Sequence, residues 1–283
     1  MRIYKHWAQR TETIDGIPVH AKAASNESPE AAAALLDRKF DYIRRRRKSE
    51  TFTLEETARF AADLGPGSTE HRYDVTICEE MLEELDPKNI VTRNRYGALV
   101  LNSEDHVFID IDYRRPTFME WIGKPFGAIA PTNLDRVVAL VEKLSRHPDC
   151  HGLAFRVYET RAGARLLVGG VSHTADSKES ERLMKRCKAD RQYQWMCRRQ
   201  KCYRARLTPK PVRIQHRTLR DVRFPWVDAE AEARKAAWVL SYEAKAESFS
   251  VCRLATEIGA RFGGAVVHRH DAACGVGTGR PLA

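Results

Sequence analysis

The sequence has no long apolar run, and this absence limits what the protein can be. None of its 283 residues lies in a window that reaches the roughly 18 consecutive apolar residues of a membrane-spanning helix. The first residues, Met1 to His6, also lack the apolar core of a secretory signal peptide. We therefore expect a soluble cytoplasmic protein without a membrane partner.

The cysteines show neither the even number nor the regular spacing of a disulfide framework. The chain contains seven of them at irregular intervals, which favours reduced thiols. Two groups of residues offer possible zinc ligands, although neither contains the close Cys-x-x-Cys pairs of structural zinc sites. The groups are Cys187, Cys197 and Cys202 with His173, and His268, His270, Asp271 and Cys274. On a helix, His268 and His270 would point in different directions, so the second group forms no obvious cage.

Positive charge is what the chain has in excess. The net charge is +10 and the isoelectric point is about 9.3. Such a balance favours polyanionic partners, namely nucleic acid, nucleotides or an anionic membrane surface. A hydrophobic content of 43% is enough for a large core in one domain or in two closely joined domains.

The order of the predicted elements mixes hairpins with helices and indicates an α+β fold. We predict helices at 28–48, 72–85, 133–146, 176–187, 190–199 and 228–247, then a terminal helix that carries His268 and His270. We predict strands at 3–10, 17–24, 90–94, 96–102, 106–113, 154–160, 165–169, 202–207, 211–215 and 249–254, with loops at 63–68 and 116–131. We divide the chain into an N-terminal hairpin with helices (1–88), a core (89–215) and a helical C-terminal extension (216–283).

The most informative motif is the pair Asp110 and Asp112, which interrupts the apolar run 107–113. Alternate side chains of a strand point to one face, so the two carboxylates should project side by side. Two like charges this close are unfavourable unless something positive neutralises them, and a divalent cation with oxygen ligands is the usual solution. The alternative is a pair that simply faces water or caps a loop.

Three motifs, in order, resemble those of the archaeo-eukaryotic primase superfamily, which includes the polymerase domains of bacterial end-joining ligases. Phe108–Asp112 looks like the metal-binding strand of that family. Tyr158–Val168 resembles its hairpin, in which a glycine-containing turn leads into a strand with a nucleotide-contacting histidine. Asp190 followed by Gln200–Pro211 is similar to the region where a third metal carboxylate precedes a basic strand. The resemblance covers about residues 90–215 and implies a primase-polymerase-like core of antiparallel or mixed sheet with flanking helices.

The resemblance implies a metal-dependent nucleotidyltransferase that acts on nucleic acid and nucleoside triphosphates. Two Mg²⁺ or Mn²⁺ ions would activate the attacking 3′-hydroxyl and stabilise the leaving pyrophosphate. The implied catalytic and metal-binding residues are Asp110, Asp112 and Asp190. The implied contacts to nucleotide or phosphate are Arg161, Arg165, His173, Lys201, Arg204, Arg206 and Lys210.

The chain departs from the family pattern at the second motif, because Arg165 stands where the family has histidine. Arginine can hold a triphosphate as a bidentate fork, but it cannot deprotonate. His173, slightly downstream, could supply the missing imidazole or be a polar loop residue. Asp190 could equally be the N-cap of a helix. The basic segment around Arg204 and Arg206 could be a solvated edge strand.

Two further functions use the same residues. A catalytically inactive primase-like protein would bind nucleic acid or a nucleotide without turnover, and Arg165 favours that interpretation. A metal-dependent nuclease would share the two-metal arrangement. The segment Arg206–Pro211 is also similar to uncharacterised bacterial proteins, which implies no function. Gly275–Gly279 has no helix after it, so we interpret it as a flexible tail and not as a phosphate loop.

Overall fold

Two four-stranded antiparallel sheets and one two-stranded hairpin make up the β structure of the described residues. The computed structural model describes residues 1–48, 53, 75–113 and 131–283. The strands are β1 (His6–Ile14), β2 (Ile17–Ser25), β3 (Glu80–Asp86), β4 (Asn89–Arg93), β5 (Leu99–Ser103), β6 (Val107–Asp112), β7 (Ala154–Thr160), β8 (Gly163–Gly169), β9 (Tyr203–Arg206) and β10 (Cys252–Ile258). The helices are α1 (Pro29–Arg47), α2 (Asn133–Ser145), α3 (Lys178–Arg186), α4 (Arg191–Gln200), α5 (Ala229–Ala246) and α6 (Ala265–Cys274). The α+β class is therefore confirmed at the level of mixed helices and antiparallel sheets.

The N-terminal strands form a hairpin on which helix α1 packs. Its turn is Asp15-Gly16, as the sequence predicts, and both residues adopt the positive φ that a tight hairpin turn needs. Ser28 caps α1 by accepting a hydrogen bond from the backbone of Ala31, and Pro29 is the first helical residue. Hairpin and helix enclose a small core of their own, consisting of Ile14, Ala21, Leu36 and Phe40.

The first four-stranded sheet has the strand order β3-β4-β5-β9 and contains two departures from the prediction. The predicted helix 72–85 is wrong, because Glu80–Asp86 is strand β3. Met, Leu and Glu are good helix formers, but helix propensity amounts to a fraction of a kcal/mol per residue, and pairing with β4 overrides it. Pro211–Ile214, predicted as a strand, is a single 3₁₀ turn. Residues 72–74, the loop 63–68 and residues 116–130 lie outside the described residues.

The second sheet has the order β10-β7-β8-β6, so the C-terminal region belongs to the core. Strand β10 pairs with β7, and the apolar face of α6, with Val266 and Val267, packs into the main core. The region 216–283 is therefore not a purely helical extension, since it supplies an edge strand of the sheet. The boundary expected at 88/89 falls in the turn of the β3–β4 hairpin.

Tyr193, near the start of α4, joins the two sheets where β6 lies beside β9. Its hydroxyl donates to the carbonyl of Phe108 in β6 at 2.6 Å and accepts from the backbone N–H of Arg204 in β9 at 3.2 Å. Just before α4, the backbone N–H of Asp190 donates to the carbonyl of Asp110 at 3.2 Å. The start of α4 thus holds the carboxylate-bearing strand against the basic strand.

None of the helices in the described ranges is both long enough and apolar enough to cross a membrane.

Lys235, in α5, is a buried cation, and its ammonium has no hydrogen-bond partner among the residues that the structure describes. It is 4% exposed, and its ammonium lies 4.2 Å from the centroid of the Trp238 ring. Trp238 in turn packs on Gly97, where a Cβ atom would lie 2.1 Å from the indole. Burial, together with the charge of Arg93, lowers the pKa of Lys235 to about 8. Lys235 therefore destabilises the folded chain at neutral pH.

We predict that Lys235→Met raises the free energy of unfolding at pH 7 by about 1–2 kcal/mol, because it removes a buried charge at similar volume. Since the folded-state pKa lies below the ordinary 10.5, the destabilisation is present below pH 8 and fades as the pH rises towards 10.5. Thermal unfolding at neutral and at alkaline pH measures both effects. Lys245→Met, an exposed change on the same helix, serves as the control. A less stable Lys235→Met variant at pH 7 would contradict the prediction.

Candidate functional site

Strand β6 presents Asp110 and Asp112 on one face, as the alternation predicts. Asp110 lies opposite Arg165 of β8, and Asp112 lies opposite Gly163. A Cβ atom on Gly163 would lie 2.1 Å from the carbonyl oxygen of Ile111, so only glycine allows this close approach of β8 to β6. The Asp110 side chain is 41% exposed and Asp112 is exposed. Both carboxylates are therefore accessible to a ligand.

Arg165 lies buried beneath Asp110, with 1% of the residue exposed. Its Nε donates to Oδ1 of Asp110 at 2.9 Å, and its Nη1 donates to the carbonyl of Arg206 at 2.8 Å. Although desolvation opposes ionisation of Asp110, the charge of Arg165 and this hydrogen bond hold the pKa of the carboxyl below its ordinary value. The resemblance implies a triphosphate contact for Arg165, but the guanidinium is enclosed by protein. In the structure, Arg165 orients the Asp110 side chain and neutralises the charge of that carboxylate.

Further cations surround the two carboxylates. They are Arg206, Lys210 and Arg213, and Arg161 lies beside Arg213. The negative charges of Asp110 and Asp112 act on both Lys210 and Arg213, and Arg161 donates to the carbonyl of Arg213 at 3.1 Å. Counted with Arg165, four cations interact with the two carboxylates, and Arg161 joins them through Arg213. We call this group, Arg161, Arg206, Lys210 and Arg213 around Asp110 and Asp112, the basic cluster.

The pKa values of three cations in the basic cluster are lowered first by burial and then by the neighbouring cations. Burial and the neighbouring Arg165 lower the pKa of Arg206 to about 10. Nε of Arg206 is buried, and no atom within residues 1–48, 53, 75–113 and 131–283 is its hydrogen-bond partner. Burial and Arg206 lower the pKa of Lys210, and burial and Arg161 lower that of Arg213. Mutual repulsion between cations is relieved when an anion binds among them. The arrangement is therefore suited to a phosphate group.

Asp190 does not complete a set of three carboxylate ligands. Its Oδ1 accepts from the backbone N–H of Tyr193 at 2.7 Å and caps α4, which is the alternative that the sequence left open. Of the described residues, no group of three that includes Asp110 or Asp112 brings its donor atoms within 4.8 Å of one another. Mg²⁺ commonly binds through one or two protein carboxylates plus substrate phosphates, so Asp110 and Asp112 fit this ion only with a phosphate ligand.

Lys201 and Arg204 point to partners away from Asp110. Lys201 ends helix α4 with a φ of 53° and lies 3.8 Å from Asp176. Arg204 shares a strand face with Arg206, but its guanidinium donates to Glu79 at 2.5 Å and to Gln200 at 3.2 Å. An ion pair thus occupies Arg204, whereas Arg206 faces the carboxylates.

His173 lies at a separate cleft. Its Nδ1 is 3.4 Å from the hydroxyl of Tyr203, and burial lowers its pKa. The cleft has a volume of about 340 Å³, and its lining includes Glu179, Arg182 and Arg186. In the part of the chain that the structure describes, the contacts of His173 are with this cleft and not with Asp110.

A second group of chemically active side chains lies behind Arg165. Cys252, His270 and Cys274 are buried, and their donor atoms all come within 4.8 Å of one another. Nη1 of Arg165 is 3.3 Å from Nε2 of His270 and 4.0 Å from Sγ of Cys274. Burial opposes ionisation of Cys274, but Cys252, His270 and Arg165 lower the pKa of its thiol well below the ordinary range. Oδ1 of Asp271 completes the surroundings by accepting a hydrogen bond from Nδ1 of His270 at 2.9 Å.

Sequence reasoning found only part of this second group. The spacing of His270 and Cys274, one helical turn apart, was a usable signal, whereas nothing local links Cys252 to them. The other possible zinc group, Cys187, Cys197, Cys202 and His173, is not among the ligand clusters of the described residues. Arg213 was also missed, because its segment was predicted as a strand and a single cation there carries no pattern, whereas the structure has a 3₁₀ turn.

No family model, curated protein or solved structure gives a significant match to this chain. The resemblance to the primase superfamily therefore stays a prediction.

We predict that Arg165→Met lowers the free energy of unfolding by about 3 kcal/mol or more, because it removes one partner of an ion pair and leaves the carbonyl of Arg206 without its donor. Chemical denaturation measures this loss. Arg253→Met, at an exposed position of β10, is the matched control and should change the stability little. A stability of Arg165→Met within about 0.5 kcal/mol of the control would show that the buried contacts do not hold the core together.

Proposed function

We propose that the protein binds a nucleoside triphosphate together with nucleic acid at the basic cluster, and that its reaction is nucleotidyl transfer of the primase-polymerase type. The observation that supports this most is the excess of cations around Asp110 and Asp112, including Arg206, whose buried Nε has no partner in the described part of the chain. Cations held close together at a half-exposed site are stabilised by phosphate oxygens. Exposed carboxylates beside them are what a metal–triphosphate complex requires.

A basic cleft that begins at the basic cluster supports a polynucleotide partner. The cleft has a volume of about 460 Å³, and its lining includes Arg95, Tyr96, Lys210, Arg220 and Arg223. The exposed Tyr96 ring offers a surface for stacking a base, and the guanidinium of Arg95 lies 4.6 Å from its centroid. Cations that track a backbone and an aromatic ring that stacks a base are the usual elements of a single-strand binding groove. Lys210 belongs to both the cleft and the cluster.

In this proposal, each part of the site has a separate task. Mg²⁺ or Mn²⁺, when bound, supplies activation of the 3′-hydroxyl and charge neutralisation at the leaving pyrophosphate. Asp110 and Asp112 hold the metal with the help of substrate phosphates. Arg206 and Arg213 bind the triphosphate, and Arg165 keeps Asp110 ionised and oriented from below.

One observation favours the catalytically inactive alternative. Oδ1 of Asp110 already accepts a hydrogen bond from Arg165, which leaves fewer lone pairs for a metal ion. A protein that only binds nucleic acid or nucleotide would use the same cations without turnover. A nuclease would use the same carboxylates but release a cleaved strand.

We predict that Arg206→Gln and Arg213→Gln each weaken binding of a fluorescently labelled single-stranded oligonucleotide, or of ATP, by about tenfold, because each removes a charge-assisted hydrogen bond to phosphate. Fluorescence anisotropy at several salt concentrations measures the affinity and its salt dependence. Arg182→Gln, an exposed change on α3, is the control. Unchanged affinity in both test variants would rule out the basic cluster as the phosphate site.

We predict Mn²⁺-dependent incorporation of labelled nucleotides on a primed or unprimed template, lost in Asp112→Asn. Asp112 is exposed and does not pair with Arg165, so this change spares the buried ion pair of Asp110. Asp41→Asn on α1 is the control. Incorporation that persists in Asp112→Asn would contradict the proposed metal site, and shortening of the template would indicate the nuclease instead. Binding with no incorporation by the native protein would favour the inactive alternative.

A further inference from the structure

Cys252, His270 and Cys274 form a three-residue group whose geometry is fixed by the backbone. His270 and Cys274 are one turn apart on α6 and therefore share a face of the helix. Cys252 is the first residue of β10 and lies opposite Thr160 in the sheet. The N–H of Val251 donates to the carbonyl of Cys274 at 2.9 Å and ties the start of β10 to the end of α6. The three donor atoms, all within 4.8 Å of one another, are thus held together by strand pairing and helix packing.

The chemistry of the three donors selects the kind of ligand. Two cysteine sulfurs and one imidazole nitrogen suit Zn²⁺ and other thiophilic ions, whereas Mg²⁺ and Mn²⁺ prefer oxygen. The residues are 0–1% exposed, so they cannot meet a substrate as nucleophiles, but burial is compatible with a structural metal ion. This group is therefore chemically distinct from Asp110 and Asp112.

A second observation that points to a ligand is the way His270 is oriented. Its Nδ1 lies 2.9 Å from Oδ1 of Asp271, which also accepts from the hydroxyl of Tyr158 at 2.8 Å. The other oxygen of Asp271 accepts from Arg156 at 2.9 Å. A carboxylate on Nδ1 directs Nε2 towards the cysteines, and this is the usual arrangement around a metal-binding histidine. A mere cysteine pair in the core would not require it.

The charge balance is compatible with a divalent ion here. Two thiolates balance the ion, and the adjacent Arg165 is balanced by Asp110. The 3.3 Å contact between Nη1 of Arg165 and Nε2 of His270 is the longest of the three polar contacts of the guanidinium to nitrogen and oxygen atoms. A cavity of about 250 Å³ lies beside the group on the side of Cys252, and its lining includes Cys252 and Gly275.

We propose that Cys252, His270 and Cys274 bind one thiophilic divalent ion of the zinc class, which joins strand β10 to helix α6. The ion lies next to Arg165 on the side away from Asp110. By joining β10 to α6 there, it stabilises the part of the core that holds the Arg165–Asp110 ion pair. This proposal does not depend on nucleotide binding at the basic cluster.

The first test is elemental analysis of the full chain, purified without chelator from zinc-supplemented cells. We expect close to one zinc per chain, a several-fold loss in His270→Gln and Cys252→Ser, and no loss in the control Cys187→Ser, a buried cysteine outside the group. Far less than one zinc per native chain, or equal zinc in native and His270→Gln protein, would overturn the proposal.

A second measurement uses only native protein, in case the variants fail to fold. Co²⁺ is added to chelator-treated chain, and we expect thiolate-to-cobalt charge-transfer absorption with tetrahedral ligand-field bands that saturate at one equivalent and that Zn²⁺ abolishes. All seven thiols should also react after denaturation without reductant. Absence of the cobalt bands, or loss of two thiols to a Cys252–Cys274 disulfide, would refute the metal site.

Discussion

The buried guanidinium of Arg165 is the interaction on which the rest of the core depends. A charge with 1% exposure is tolerated only when its hydrogen bonds and its charge are compensated. Its nitrogens reach Asp110 of β6, the carbonyl of Arg206 of β9 and His270 of α6. One side chain of β8 thus connects both four-stranded sheets and the C-terminal helix, and a shift of any of these elements would break one of its polar contacts.

This connection explains why the candidate site lies where it does. The carboxylate strand β6 and the basic strand β9 belong to different sheets, and Arg165 and Tyr193 hold them side by side. Opposite charges are therefore brought to one surface region, where the cations outnumber the carboxylates. On the inner side of Arg165, the sulfur and imidazole groups form a drier environment of different chemistry. The guanidinium of Arg165 thus separates the hard oxygen ligands of Asp110 and Asp112 from the soft sulfur ligands of Cys252 and Cys274.

The candidate site could be predicted from the sequence only in part. Period-two alternation placed Asp110 and Asp112 on one face, because that feature is local to a strand. The alternating pattern also indicated the position of Arg165 in its strand. It did not indicate that Arg165 is buried, because the burial depends on the packing of α6 against this side chain. Asp190 is a residue type that binds metal ions, and Arg204 is one that binds phosphate. In the structure, however, Asp190 caps helix α4 and Arg204 forms an ion pair with Glu79. The choice between such partners is made by tertiary contacts.

The sequence by itself determined most helices, the Asp15-Gly16 turn and the mixed α+β character, because caps, turns and periodicity act over a few residues. Only the tertiary structure decided that Glu80–Asp86 is a strand, since its partner β4 outweighs its helical preference. It also decided that β10 joins the core sheet beside β7. Cys252 therefore meets His270 and Cys274 through long-range packing, which no local pattern in the chain encodes.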